Sequence, residues 1–139
     1  MSGMLHQATC VAIGSRGVLI EGPPGSGKSS LALALIDRGA VLVGDDGVRL
    51  EAQEGALLAS PAPATAGKLE VRNLGLLDFP TVSRAPVALV VALDERAERW
   101  IEAAVTCERG GATLPLVRLS PGSPVLPLRV ELALTHYGS

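Results

Sequence analysis

Gly22-Pro23-Pro24-Gly25-Ser26-Gly27-Lys28-Ser29 decides how this chain is read. The eight residues fit G-x-x-x-x-G-K-[ST], the phosphate-binding P-loop. Working outward, Gly17-Val18-Leu19-Ile20 reads as a buried strand entering the loop, and Ser29 to Arg38 reads as the helix leaving it. The chemistry asks for these residue types. Glycines let the backbone wrap with its N–H groups pointing inward, and a helix N-terminus adds partial positive charge. Lys28 is placed to reach the β- and γ-phosphates of a nucleoside triphosphate, and the Ser29 hydroxyl to ligate Mg²⁺. A glycine-rich turn that matched by accident would not carry a strand before it and a helix after it. ATP and Mg²⁺ are therefore the expected cofactors.

Composition narrows what the nucleotide is for. A chain of 139 residues is expected to form one domain with a real core. At 47% hydrophobic it is not a disordered sequence. Aromatics make up only 2%, so the core is aliphatic and there is almost no platform for stacking bases. With a net charge of −2 and no basic run, nucleic acid is not the expected partner. Cys10 and Cys107 read as isolated thiols rather than a disulfide. Met1 to His6 shows no basic segment followed by an apolar run, and no stretch approaches ~18 apolar residues. Neither a leader nor a membrane partner is expected, and the cytoplasm is the expected location.

Further from the loop, Val11-Ala12-Ile13 and Val18-Leu19-Ile20 read as a hairpin turned through Gly14 to Gly17. Gly39 supplies a left-handed helix stop behind Arg38. Val41-Leu42-Val43 is a short buried strand, expected beside the P-loop strand. Val48 to Glu51 and Ala56 to Ala59 flank a turn at Glu54-Gly55, and Ser60 to Gly67 reads as a loop. Leu69-Glu70-Val71-Arg72 alternates, and Val87 to Leu93 reads as a central strand. The spacing allows a helix over Asp94 to Cys107. Pro115 marks Leu114 to Leu119 as an edge strand, and Leu128 to Leu134 fits either a helix or a strand. Many short strands with few helices predict a sheet-rich α/β domain rather than a doubly wound one.

Two acidic pairs compete for the chemistry. Asp45-Asp46 follows a buried strand, 17 residues beyond Lys28. One carboxylate there can help hold Mg²⁺ while the other accepts a hydroxyl proton, or the pair is simply a polar Gly-Asp-Asp-Gly turn. Asp94-Glu95 follows the strongest apolar run, where a P-loop ATPase keeps its metal-binding and water-activating acids. A helix cap reads equally well there. Glu70 and Arg72 share a strand face, where a carboxylate reaches a metal and a guanidinium neutralises phosphate, or the two form a solvated salt-bridging face.

The order His6, Gly22 to Ser29, Leu42-Val43-Gly44-Asp45-Asp46, then Leu69-Glu70-Val71-Arg72-Asn73-Leu74-Gly75-Leu76-Leu77-Asp78 resembles the catalytic domain of HPr kinase/phosphorylase. That bacterial family phosphorylates a serine of HPr, a small phosphocarrier of the phosphotransferase system, and also runs phosphorolysis. The resemblance covers about residues 5 to 119. It implies a P-loop kinase domain of the HPr kinase/phosphoenolpyruvate carboxykinase-like type. It further implies that Lys28 and the loop amides hold phosphates and that Ser29 and Glu70 ligate Mg²⁺. Of Asp45 and Asp46, it implies Asp46 rather than Asp45 as the acid/base. His6 resembles the family's active-site histidine near the phosphate, and Glu70 to Asp78, Arg72 included, shapes the transfer site. The implied partner is an HPr-like phosphocarrier protein, with a homo-oligomer left open and a role in carbon or nitrogen regulation.

The departures are equally specific. The family's longer members carry a preceding domain and further C-terminal helices, so this reads as a compact member. Asn73 stands where glycine is usual, and one extra residue, assigned to Gln7, separates His6 from the loop. Pro121-Gly122-Ser123-Pro124 replaces a Pro-Gly-Arg-Asn-like segment that supplies a catalytic arginine, and neither Arg118 nor Arg129 aligns with it. Kinase activity is therefore expected to exceed phosphorolysis. A small-molecule kinase and a weakly turning-over nucleotide-binding module remain the competing readings.

Overall fold

The computed structural model describes residues 3–139; Met1 and Ser2, part of the segment read for a leader, lie outside the described residues. Three strands precede the P-loop: β1 (Met4–His6), β2 (Thr9–Ile13) and β3 (Arg16–Glu21). β2 and β3 form the expected antiparallel hairpin, with Val11 opposite Val18. Helix α1 (Lys28–Asp37) follows and buries Leu31, Ala32 and Leu35, the four-residue spacing putting Leu31 and Leu35 on one face. It stops at Gly39, whose φ of +112° is left-handed and whose N–H closes on the Ile36 carbonyl.

β4 (Val41–Gly44) comes next, then the hairpin β5 (Val48–Gln53) and β6 (Ala56–Pro61). The loop read at Ser60 to Gly67 starts later, because Ser60 and Pro61 pair with Arg49 and Val48. Only Pro63–Thr65 makes a single 3₁₀ turn within it. β7 (Lys68–Val71) and β8 (Gly75–Asp78) form a separate two-stranded hairpin. The chain closes with β9 (Ala85–Leu93), β10 (Val105–Arg109), β11 (Ala112–Leu119) and α2 (Leu126–Tyr137). The undecided segment at Leu128 to Leu134 is thus helical.

The large sheet runs β1-β5-β6-β9-β3-β2-β4, with β11 also on β9 and β10 on β11. β9 is central, as its unbroken apolar run predicts, and pairs with three strands. It takes β3 along most of its length, β6 at Ala85 and Pro86, and β11 from Val90 to Leu93. Two buried clusters flank the sheet. On one side Val18, Ile20, Leu89 and Val91 meet Leu31 and Leu35 of α1 and Val130 of α2. On the other, Cys10, Leu19 and Val90 meet Leu50 and Leu57 of the β5–β6 hairpin. Truncating such fully buried side chains costs about 2–5 kcal/mol each. The two packed faces therefore hold the strand ends, and whatever sits on them, in fixed positions.

Three expectations are corrected. Asp94 to Cys107 is not helical: Asp94 to Ala97 closes as a turn, with Ala97 N–H on the Asp94 carbonyl, and β10 begins at Val105. Pairing with β11 overrides the helix-forming composition of this stretch. β11 is not an edge strand, because it lies between β9 and β10. Pro115 is accommodated since the register with β9 starts one residue later, at Leu116. β4 does not adjoin the P-loop strand, because β2 lies between them.

The corrected topology still brings the sequence motifs together. β9 and β11 run parallel to β3, and β4 runs antiparallel to β2, which is itself antiparallel to β3. Four strands, β3, β4, β9 and β11, therefore finish at the same edge of the sheet. Ligands of open α/β sheets bind outside the carboxyl ends of strands, and here that edge carries the P-loop.

Candidate active site

The P-loop joins β3 to α1 through two left-handed glycines, Gly25 at φ +80° and Gly27 at φ +98°. A Cβ at either would meet no atom within 4 Å, so the left-handed backbone rather than crowding is what calls for glycine there. Lys28 curls over the loop, its Nζ donating to the carbonyls of Gly22 (2.9 Å) and Pro23 (3.2 Å). The Leu31 N–H takes the Gly27 carbonyl at 2.9 Å, so the N–H groups of the first turn stay available.

Facing the loop is Asp45, only 6% exposed. Three donors converge on its carboxylate: Thr9 Oγ1 at 2.9 Å and Ser29 Oγ at 2.8 Å on Oδ1, and the Glu70 N–H at 3.0 Å on Oδ2. A buried carboxylate needs such partners, and each comes from a different element. The insertion of β2 explains Thr9, which a strand order without it could not have supplied. Gly44 is needed just before: a Cβ there would lie 2.5 Å from the Gly47 carbonyl oxygen. Asp46 follows at φ +61°, a left-handed conformation that aspartate tolerates better than most residues.

Lys28, Ser29, Asp45, Asp46, Glu70 and Arg72 line one cleft of about 260 Å³ together with the loop glycines. Glu70 reaches it from β7, which ends at Val71, so Arg72 projects from the turn rather than from the strand. That turn explains Asn73: its φ of +74° is a position glycine or asparagine can occupy.

His6 is not among the residues lining this cleft. It borders a neighbouring hollow that also touches Asp46 and Gly47, and its Nε2 lies 2.7 Å from Glu21 Oε2. Glu21 is the last residue of β3, directly before the P-loop. Arg109 clamps the same carboxylate from β10, Nη2 to Oε1 at 2.8 Å and Nε to Oε2 at 2.9 Å. Burial opposes charge on Glu21, but the hydrogen bonds from Arg109 and His6 outweigh it and hold the carboxyl below its usual value. Sequence reading missed Glu21 and Arg109. An acid ending a buried strand immediately before the loop was the available signal, and its partner 88 residues away left none.

The donor set fits a magnesium nucleotide. Ser29, Asp45 and Glu70 offer oxygens only, the preference of a hard cation, and Lys28 offers the balancing charge for phosphate. Among the described residues no three His, Cys, Asp or Glu side chains form a metal cage. Magnesium held by one or two carboxylates and by phosphate oxygens does not need one.

A P-loop at the strand edge of a sheet-rich α/β core, faced by a fixed carboxylate, defines a domain of the phosphate-binding α/β class. The model of the HPr Serine kinase C-terminal domain family matches residues 2–99, and the chain belongs to that family. The HPr kinase/phosphorylase of Clostridium tetani is 50% identical over 66 residues, covering 48% of this chain and 22% of that protein. That of Clostridium acetobutylicum is 40% identical over 93 residues, 62% of this chain and 29% of that protein. The chain thus spans less than a third of the length of these curated relatives. In three dimensions it matches the Hpr(Ser) kinase/phosphatase of Coxiella burnetii with a TM-score of 0.83 and 28% identity, over 95% of this chain and 88% of that one. The sheet-rich α/β fold expected from the sequence is the fold of this family. Among the described residues no helix is long and apolar enough to cross a membrane.

Proposed function

We propose that this chain is an ATP- and Mg²⁺-dependent serine kinase that acts as one catalytic unit on an HPr-like phosphocarrier in the cytoplasm. In this reading it regulates carbon or nitrogen metabolism through the phosphotransferase system. The observation that carries the proposal is the single cleft lined by Lys28, Ser29, Asp45, Asp46 and Glu70, in a chain of the HPr serine kinase family. Lys28 and the loop amides bind the phosphates. Ser29 and Glu70 hold Mg²⁺, with Asp45 fixing the Ser29 hydroxyl. The metal, when bound, draws off charge that develops on the transferring phosphate. Asp46 accepts the proton of the substrate serine as the serine oxygen bonds to the γ-phosphorus and the bond to the β-phosphate oxygen breaks, leaving ADP. The same carboxylate serves the reverse phosphorolysis. Arg72 balances charge at the transfer site, and His6 acts through Glu21 and the hollow beside Asp46.

A protein acceptor is favoured by the rim of the cleft. The β7–β8 hairpin that supplies Glu70 exposes Leu74 at 70% and Leu76 at 67%. Apolar surface of this kind beside an active cleft suits a docked protein better than a small metabolite.

The test is transfer of labelled γ-phosphate to purified HPr-type carriers. Label is expected on a carrier serine and not on its Ser→Ala form. Lys28→Ala should abolish transfer and most ATP affinity, read by calorimetric titration. Unchanged affinity in Lys28→Ala, or no labelling of any carrier by the ATP-binding protein, would overturn the reading. Release of pyrophosphate from the phosphorylated carrier in millimolar phosphate should be slower than forward transfer. Arg118 lies 3.9 Å from Asp94 and neither it nor Arg129 borders the cleft.

A further inference from the structure

On the β9–β11 side of the P-loop lies a second hollow, of about 530 Å³, that none of the roles above uses. Its walls are Pro23 to Ser26 of the loop, Ala92 to Arg96 and Pro121. It shares Pro24 and Gly25 with the phosphate cleft, so the two spaces meet across the crest of the loop. It sits outside the carboxyl ends of β3, β9 and β11, three parallel neighbours, where open sheets take their ligands. Its volume falls within the range of small-molecule sites.

We infer that this hollow receives the nucleoside of the bound nucleotide, and that Arg96 is the residue that holds the base. The inference rests on the reading of Gly22 to Ser29 as the phosphate cradle. A triphosphate seated on the loop amides has its nucleoside end free, and among the described residues this hollow is continuous with the loop on the parallel-strand side. Ala92 and Leu93 form the apolar floor, and Pro24 and Pro121 stand as ring-shaped apolar walls. No aromatic side chain lines the hollow, so stacking falls to a planar cation. Arg96 is that group: among the described residues its guanidinium makes no hydrogen bond or ion pair, unlike Arg109 and Arg118. A guanidinium over a flat π-face is favourable, and arginine does this better than lysine. Glu95, exposed and likewise unpaired among the described residues, is placed to accept a ribose hydroxyl.

The site is pre-formed. Asp94 Oδ1 accepts the Arg96 N–H at 2.8 Å, the Ala97 N–H returns to the Asp94 carbonyl at 3.0 Å, and the Asp94 N–H bonds the Leu119 carbonyl at 3.0 Å. These three bonds tie the Arg96 backbone to the ends of both β9 and β11. A ligand therefore orders little besides the Arg96 side chain.

The experiment compares Mg·ATP with Mg·triphosphate, the same phosphate chain without a nucleoside, by calorimetric titration. Wild type should bind ATP more tightly than triphosphate. Arg96→Ala should weaken ATP about five- to tenfold, the scale of one guanidinium–ring contact, and leave triphosphate within about twofold. Triphosphate binding doubles as the folding control. Equal weakening of both ligands would show that Arg96 serves phosphate and would overturn the inference. So would an Arg96→Ala variant with unchanged ATP affinity, or a wild type that prefers triphosphate. A wild type that binds neither ligand would instead sink the phosphate-cradle reading on which the inference stands.

Discussion

Asp45-Asp46 and Asp94-Glu95 are near twins in the sequence, each an acidic pair capping an apolar strand, and the fold treats them in opposite ways. β4 and β9 end at the same edge of the sheet, yet only the first pair faces the P-loop cleft. Asp45 is buried and takes three donors from three elements, Ser29 of the loop helix among them. Asp94 keeps its side chain 40% exposed and spends one oxygen on the N–H of Arg96, two residues on. The difference comes from long-range contacts. What separates a site acid from a turn acid is which donors reach it from elsewhere in the chain.

The comparison can be broken by exchanging the pairs' fates in mutants. The largest effect is expected at Asp46. Asp46→Asn should reduce phosphotransfer by ~10²-fold or more, the scale of a lost general base, while ATP affinity by calorimetry changes little. If Asp94→Asn stopped turnover and Asp46→Asn did not, the two pairs would have to trade roles. Asp45→Ala sharpens the contrast on the stability axis. It strands Thr9 Oγ1 and the Glu70 N–H, and losing hydrogen bonds to a buried charged group costs about 2 kcal/mol. At this chain length that should lower the thermal midpoint by about 8 °C in calorimetry. The smallest effect is expected at Asp94→Asn. The amide oxygen still accepts the Arg96 N–H, so the cost should stay below about 1 kcal/mol and the midpoint should move by less than about 4 °C. A larger loss would mean the weak contact with Arg118 matters more than its 3.9 Å separation suggests.

Local rules made the P-loop unit legible. The strand, glycines, lysine and helix of residues 17 to 39 lie next to one another in the chain, and their pattern is read directly. Asp45-Asp46, Glu70 and Arg72 were visible through their spacing, and the structure lines one cleft with all four. Their order hid the neighbours, however: that β2 stands between β3 and β4, and so that Thr9 reaches Asp45, is a matter of strand pairing with no local signature. Asp94 to Cys107 failed for the related reason that helix-forming residues yielded to a hairpin partner. Glu21 escaped because its significance depends on His6 and Arg109, which approach from β1 and β10.

The central strand also sets a clock. β9 is complete only when residues 16–21, 56–61 and 112–119 have all found it, and the last of these leaves the ribosome after everything else in the sheet. Until then one flank of β9 beyond Pro86 has no partner. Pairings this distant in sequence carry a loop-closure cost before they return any contact, which places such folds in the range of milliseconds to seconds. Stopped-flow refolding should show that slow scale, and truncations that end before residue 112 should leave β9 exposed to solvent and to other chains.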